Sequence, residues 1–314
     1  MKALVVGAGA VGQVFALHLS RAGAEVTFAV RSPEKVRSPT TVTRLGAFGS
    51  RTASEVAASA IVSSLEGRSF ELVVVTVPSD ALATPWLASI LSGVGDAIVV
   101  GLQPGLEDRE RLLGAGAKEG RLVRGLISLV SFATPLSKDD PLQTPGYAYW
   151  FPPLSPFAFD GPPALVETVV QTLERGGMPA VHRKGLEHEV IFFTAALLVT
   201  VRALERHRWS LDALAADPSL SVKASEQALA VTARRLARPV PALPSLTTRP
   251  WVLSIGARLA PLVVPFDFET YAKVHFTKVA PQSRLLLGEL VKEGKDFELP
   301  VDALETLLSG VAAG

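Results

Sequence analysis

Residues 1–31 read MKALVVGAGAVGQVFALHLSRAGAEVTFAVR, and this stretch decides the fold class. Leu4, Val5 and Val6 form a short apolar run suited to a buried parallel strand. Gly7, Gly9 and Gly12 come next as G-x-G-x-x-G. In this setting Gly7 permits the tight turn, Gly9 lets the backbone approach a pyrophosphate, and Gly12 lets helix and strand pack closely. The helix that opens near Ala10 and Val11 aims its free N–H groups and positive dipole end at the same place. Phe15, Ala16, Leu19 and Ala22 carry a helical apolar stripe to Gly23, and Glu25 to Val30 is a second strand. Strand, glycine turn, helix and strand in that order describe a dinucleotide-binding βαβ unit.

The residues after the second strand select the nucleotide. Binders of NAD usually carry an acid there for the ribose 2′-hydroxyl. Here Arg31 and Ser32 stand at that point, with Lys35 and Arg37 close behind. An arginine pairs with a 2′-phosphate through charge-assisted hydrogen bonds, so the expected cofactor is NADP (NADPH) rather than NAD.

Composition excludes several classes. At 314 residues the chain is long enough for a full core and two domains. A net charge of +1 gives no electrostatic case for nucleic acid or an anionic membrane as partner. Without cysteine there are no disulfides, thiol nucleophiles or cysteine–zinc sites, which fits a cytoplasmic protein. Met1 runs straight into the first strand, leaving no room for a signal peptide. The apolar run Ile191 to Val201 is too short to span a bilayer, which takes about 20 residues, and reads as a buried helix. The histidines His18, His182, His188, His207 and His275 show no metal-ligand spacing, so no metal is expected.

Alternation continues beyond the opening unit. Glu71 to Val77 is a buried strand ended by Pro78, and Ser79 to Leu91 is expected as a helix with Ser79 as its N-cap. Asp96 to Val100 reads as strand, Glu107 to Leu113 as helix, and Leu122 to Phe132 as a further strand region. Pro135 to Pro163 breaks the pattern. Its aromatic cluster, Tyr147, Tyr149, Trp150, Phe151, Phe157 and Phe159, suits a strand pair packing rings on the sheet, or else an apolar wall beside a substrate. From about Lys184 the alternation stops. Leu186 to Trp209, much of Leu211 to Ala237, Phe268 to Lys278, and Pro281 to Glu293 read as helices, with a proline-marked loop around Pro239 to Pro250. The expected fold is α/β: an N-terminal Rossmann-type doubly wound sheet over residues 1–184, then an all-helical substrate or dimerisation domain over 185–314. The apolar helix and the aromatic cluster equally suit a homodimer interface.

With these motifs the chain resembles the ketopantoate reductase (2-dehydropantoate 2-reductase) family. The resemblance rests on G-A-G-A-V-G with Arg31, on ELVVVTVPSDAL, and on Leu102-Gln103-Pro104-Gly105-Leu106 where the family has a Q-N-G turn. The run Leu287 to Gly294 followed by Leu299-Pro300 is similar to the family's closing helix. The resemblance implies NADPH-dependent reduction of a 2-keto acid. It also implies that Val77, Pro78, Gln103 and Gly105 flank the cofactor with the glycine turn. Carried across, the family's polar residues are mostly missing. Its lysine after the fourth strand falls on Pro78, its Q-N-G asparagine on Pro104, and its catalytic lysine on Ile191, with neighbouring asparagines near Ala195 and Val199. Its substrate-binding serine and glutamate fall near Thr270 and Gln282. A small anionic keto acid needs fixed cations in a dry pocket. The helix face through Ile191, Ala195 and Leu198 offers none, so a divergent member with a more apolar small-molecule substrate is expected.

Three sets of residues are candidates for protonating the developing alkoxide. Tyr271, His275 and Lys278 share one face of the helix that bears Thr270. Lys184 and His188 bracket the start of the first long helix, and Lys184 becomes the family lysine if the placement slips by a turn. Thr194 lies one turn from Ile191. His275 and Lys278 are the preferred pair. The rival reading is a non-catalytic NADP-binding sensor or scaffold that kept the cofactor cradle.

Overall fold

The computed structural model describes residues 1–46 and 49–309, the side chains of residues 253, 257, 258 and 260–262 excepted. The chain forms two compact units, Met1–Glu187 and His188–Gly314.

In the first unit the elements run β1 (Lys2–Val6), α1 (Ala10–Arg21), β2 (Glu25–Ala29), β3 (Thr40–Leu45), β4 (Arg51–Val56), β5 (Ala60–Val62), β6 (Leu72–Val75), α2 (Pro85–Gly93) and β7 (Ile98–Gly101). They continue with α3 (Asp108–Gly114), β8 (Leu122–Leu126), β9 (Val130–Thr134), β10 (Gly146–Trp150), β11 (Phe157–Asp160), α4 (Pro163–Arg175) and β12 (Ala180–His182). Among the described residues an eight-stranded sheet runs β12-β11-β8-β7-β6-β1-β2-β5. From β5 to β8 every pairing is parallel, and only β11 joins β8 antiparallel. Chain order moves outward from β1 to β2 and β5, then restarts at β6 and moves the other way. The β1–β6 boundary is therefore the switch point, where such sheets bind ligands outside the strands' carboxyl ends.

Because successive side chains alternate, β1 is apolar on both faces. Ala3 and Val5 join Val14, Phe15, Val166 and Leu173 of α1 and α4, whereas Leu4 and Val6 join Leu87, Ile90 and Leu112 of α2 and α3. A second sheet, β4-β3-β10-β9, packs on α1. The strand pair expected from the aromatic cluster is corrected: β10, with Tyr147, Tyr149 and Trp150, lies in this sheet, whereas β11, with Phe157 and Phe159, lies in the eight-stranded one, so the two do not pair. Tyr149 of β10 is fully buried in the core with Phe157 and Phe159 of β11.

Several expected bounds are corrected. Ser79 does not cap a helix through Leu91. It starts a single 3-10 turn, Ser79–Ala81, and α2 begins at Pro85 under Thr84, whose Oγ1 accepts the Leu87 N–H at 3.4 Å. The Ser79 hydroxyl instead donates to the carboxylate of Asp108, at the start of α3. The Leu122–Phe132 region is two strands in two different sheets, β8 and β9. Period-two patterning fixes strand character but says nothing of a change of sheet.

The second unit is helical. Its elements are α5 (Leu186–Arg206, whose first residues close the first unit), α6 (Leu211–Ala216), α7 (Ser219–Leu236), α8 (Ala242–Ser245), α9 (Pro250–Val263), α10 (Phe268–Lys278), α11 (Ala280–Asp296) and α12 (Asp302–Ser309). The proline-marked loop thus gives way to a helix at Pro250, where a missing N–H costs little. Buried Gln227 of α7 secures α12 by accepting N–H bonds from Ala303 (3.0 Å) and Leu304 (3.2 Å), and donates to Asp302 at 2.6 Å. Among the described residues no helix is long and apolar enough to cross a membrane.

Candidate cofactor cradle and active site

Gly7 sits at φ +103°, in the region that favours glycine, and its N–H donates to Ala29 O at 2.9 Å. A Cβ built on Gly12 would lie 2.0 Å from Gly7 O, so α1 and the turn touch only because residue 12 has no side chain. Gly9 is different. Its backbone is extended (φ −76°, ψ −175°), it is exposed, and a Cβ there meets nothing within 4 Å. No side chain caps α1, and no acid lies in its first turn. The space above Gly9 is thus bordered by uncapped N–H groups at the positive end of a helix, which suits a pyrophosphate.

Three side chains hold this loop in place. Thr76, just past β6, donates its hydroxyl to Val6 O (2.9 Å) and Gly7 O (3.0 Å). Tyr147 reaches from the second sheet to donate to Ala8 O at 3.3 Å, and Gln13 Nε2 donates to the same oxygen at 3.5 Å. In sequence Thr76 reads as one more strand residue. The signal that could have found it is a lone hydroxyl at the end of an otherwise apolar strand.

Of the other expected cofactor residues, Ala10 and Val11 form the first turn of α1. Arg31 is exposed beyond β2, and its guanidinium has no hydrogen bond or ion pair among the described residues. Ser32 stands beside it, ahead of the 3-10 turn Pro33–Lys35. Val77 and Pro78 follow β6, with Pro78 exposed. Gln103 and Gly105 follow β7 and are buried. The Gln103 side chain points inward, donating to Val75 O (2.9 Å) and Val77 O (2.7 Å), while its Oε1 is buried without a partner among the described residues. Arg124 of β8 donates to Gln103 O at 2.5 Å, and burial lowers its pKa. The structure therefore brings the ends of β1, β2, β6 and β7 side by side in register, with the glycine turn at the switch point.

Candidates for the chemistry lie in both units. Lys184 is exposed in the turn before α5, where Asp160 Oδ2 accepts the N–H groups of Gly185 (2.7 Å) and Leu186 (3.1 Å). In the second unit, Tyr271 is buried and stacks on His275 at 5.1 Å and 24°. Burial pushes the Tyr271 hydroxyl up, and burial together with nearby Lys278 pushes His275 down to about 4. His275 is therefore a neutral imidazole at pH 7. Lys278 ends the same helix and is exposed. The Thr270 hydroxyl donates to Asp267 Oδ2 at 2.6 Å, inside the N-cap of α10, which occupies its proton. Gln282 is half-buried at the start of α11, and Thr194 is buried on α5. Ile191, Ala195, Leu198 and Val199 are buried and apolar. Among the described residues no group of His, Asp or Glu is arranged to hold a metal ion.

A parallel sheet ordered outward from β1, with a glycine turn at its switch point and a helical region after it in the chain, is a Rossmann-type fold. Residues 3–137 match the family model described as ketopantoate reductase PanE/ApbA, the family its motifs resemble. A comparison with curated proteins finds no match. Solved structures share the fold along the whole chain. A D-mandelate dehydrogenase with NADH and anilino(oxo)acetate is 16% identical (TM-score 0.71), covering 98% of this chain and 96% of its own. The 2-dehydropantoate 2-reductase from Methylococcus capsulatus is 16% identical (TM-score 0.68; 98% and 95% covered). A PanE/ApbA family ketopantoate reductase from Ralstonia eutropha JMP134 is 18% identical (TM-score 0.71; 98% and 96% covered).

Proposed function

We propose that this protein is an NADPH-dependent reductase of a carbonyl or imine on a fairly apolar small molecule, related to ketopantoate reductases but acting on another substrate. The observation that carries the reading is the cradle itself: an open space above Gly9 at an uncapped helix end, with the guanidinium of Arg31 just beyond β2 making no hydrogen bond or ion pair among the described residues. The first-turn backbone of α1, at Ala10, Val11 and Gly12, holds the pyrophosphate. Arg31 and Ser32 hold the 2′-phosphate, and Val77, Pro78, Gln103 and Gly105 frame the remaining half. Arginine suits this task because its planar fork matches phosphate oxygens bidentately.

Reduced nicotinamide, when bound, supplies the hydride. The protein must orient the acceptor and deliver a proton to its heteroatom. Lys278 is the preferred donor and Lys184 the second. His275, held neutral, orients by hydrogen bonding. Thr270, Gln282, Thr194 and Tyr271 line the substrate. The buried apolar face through Ile191, Ala195 and Leu198 supports an apolar substrate, since an unpaired carboxylate against it would cost several kcal/mol.

The test is NADPH oxidation against a panel of aldehydes, ketones and imines graded from 2-oxo acids to neutral aromatic compounds. Turnover of neutral members is the expected result. Turnover confined to 2-oxo acids would sink the apolar substrate, and cofactor binding without any turnover would favour the sensor, which Pro78 and Pro104 at polar family positions motivate.

A further inference from the structure

The turns after β6 and β7 are joined by a single buried carboxylate. Asp108, at the start of α3, is wholly buried. Its Oδ2 accepts the Ser79 hydroxyl and the Gly105 N–H, each at 2.6 Å, and its Oδ1 accepts Arg111 Nη1 at 2.9 Å. Ser79 directly follows Pro78, and Gly105 directly follows Pro104. Neither proline has an N–H to donate to the carboxylate. Both turns are pinned one residue later, on the same oxygen atom.

The location gives this clasp a role. If the dinucleotide crosses the switch point with its 2′-phosphate at Arg31, its adenosine half lies on the β2 side of Gly9. Its other half must then lie over β6 and β7, the strands on the opposite side. Those are the two strands whose turns Asp108 ties together. Gln103 and Arg124 brace the same pair through Val75 O, Val77 O and Gln103 O. A buried carboxylate accepting charge-assisted and hydroxyl hydrogen bonds is a stiff connector, because releasing any donor leaves charge unsatisfied.

We propose that Asp108 is a positioning residue for the nicotinamide half of the cofactor, acting through Ser79 and Gly105 to fix the spacing of the two turns that receive it. The proposal rests on the NADPH reading above. Damage to the clasp should then be felt by one half of the cofactor and not by the other.

The experiment compares dissociation constants for NADPH and for adenosine 2′,5′-bisphosphate, which carries only the adenine half, in wild type, Asp108→Ala, Asp108→Asn and Ser79→Ala. Asp108→Ala and Ser79→Ala are expected to weaken NADPH about tenfold while leaving the bisphosphate unchanged. Asp108→Asn keeps an acceptor oxygen for Ser79 and Gly105 but turns an amide donor toward Arg111, so it is expected to weaken NADPH less than Asp108→Ala does. Equal weakening of both ligands by Asp108→Ala makes the residue merely structural and overturns the proposal, as does unaltered NADPH binding in Ser79→Ala, the milder variant that tests the clasp even if Asp108→Ala does not fold. A wild-type protein that binds neither ligand overturns the dinucleotide reading itself, and the clasp with it.

Discussion

Gly9 and Gly12, only one turn of chain apart, should respond to the same substitution in opposite ways. Gly12→Ala places a methyl 2.0 Å from Gly7 O, 2.9 Å from Thr76 Oγ1 and 3.1 Å from Gly7 C. The first and third neighbours are backbone, so the glycine turn must move to restore contact distance. Overpacking of this kind costs about 1–3 kcal/mol. In a unit of this size it lowers the melting temperature by roughly 2–4 °C for each kcal/mol. Gly9→Ala meets no atom within 4 Å and keeps an allowed backbone at φ −76°. Its stability should stay within about 0.5 kcal/mol of wild type. The methyl would instead occupy the approach of the pyrophosphate. Losing one hydrogen bond to a charged phosphate costs about 1.5–3 kcal/mol, or roughly 10- to 150-fold in affinity. Differential scanning fluorimetry and fluorescence titration with NADPH read the two effects separately. Wild-type affinity in Gly9→Ala would refute the cradle, and a wild-type melting temperature in Gly12→Ala would refute the packing argument.

Arg31→Asp should weaken NADPH by about tenfold or more and narrow or invert its advantage over NADH, since a carboxylate repels the 2′-phosphate; an unchanged ratio of the two dissociation constants would remove Arg31 from the site. His18 is fully buried, with Nδ1 2.8 Å from Gly176 O and Nε2 without a partner among the described residues, and burial pushes its pKa down to about 4. The unfolded chain therefore binds a proton that the folded chain refuses between about pH 6.5 and 4, so stability is intact above that window and falls by up to about 3 kcal/mol as pH drops through it. His18→Gln should flatten that acid slope in thermal melts, and parallel curves would count against it. In single-turnover NADPH oxidation with a substrate from the panel, Lys278→Met should slow the reaction more than His275→Ala, because the imidazole holds no extra proton at pH 7; unchanged rates in both would transfer the role to Lys184.

Legibility in the sequence depends on the range of the interaction. The opening βαβ unit is legible because strand, turn and helix signals there are local, and α10 has the bounds its pattern gives, Phe268–Lys278. Ser79 departs from its expected role for the opposite reason. Its hydroxyl answers to Asp108, 29 residues away, and not to the helix that follows. The same holds for Tyr147 on Ala8 and Arg124 on Gln103, contacts that exist only once the sheets are assembled. Helix α9 is hidden by its prolines, since Pro250 begins a helix as readily as it ends one. For the chemistry, helical spacing places His275 and Lys278 on one face but carries no hint that burial leaves the imidazole neutral.

If the glycine turn and Arg31 together hold a 2′-phosphorylated nicotinamide dinucleotide, the wild-type protein must distinguish NADPH from NADH. Calorimetric titration with each reads that difference directly. NADPH is expected to bind at least about tenfold tighter, in line with one charge-assisted contact to the 2′-phosphate. Equal or tighter binding of NADH would contradict that assignment.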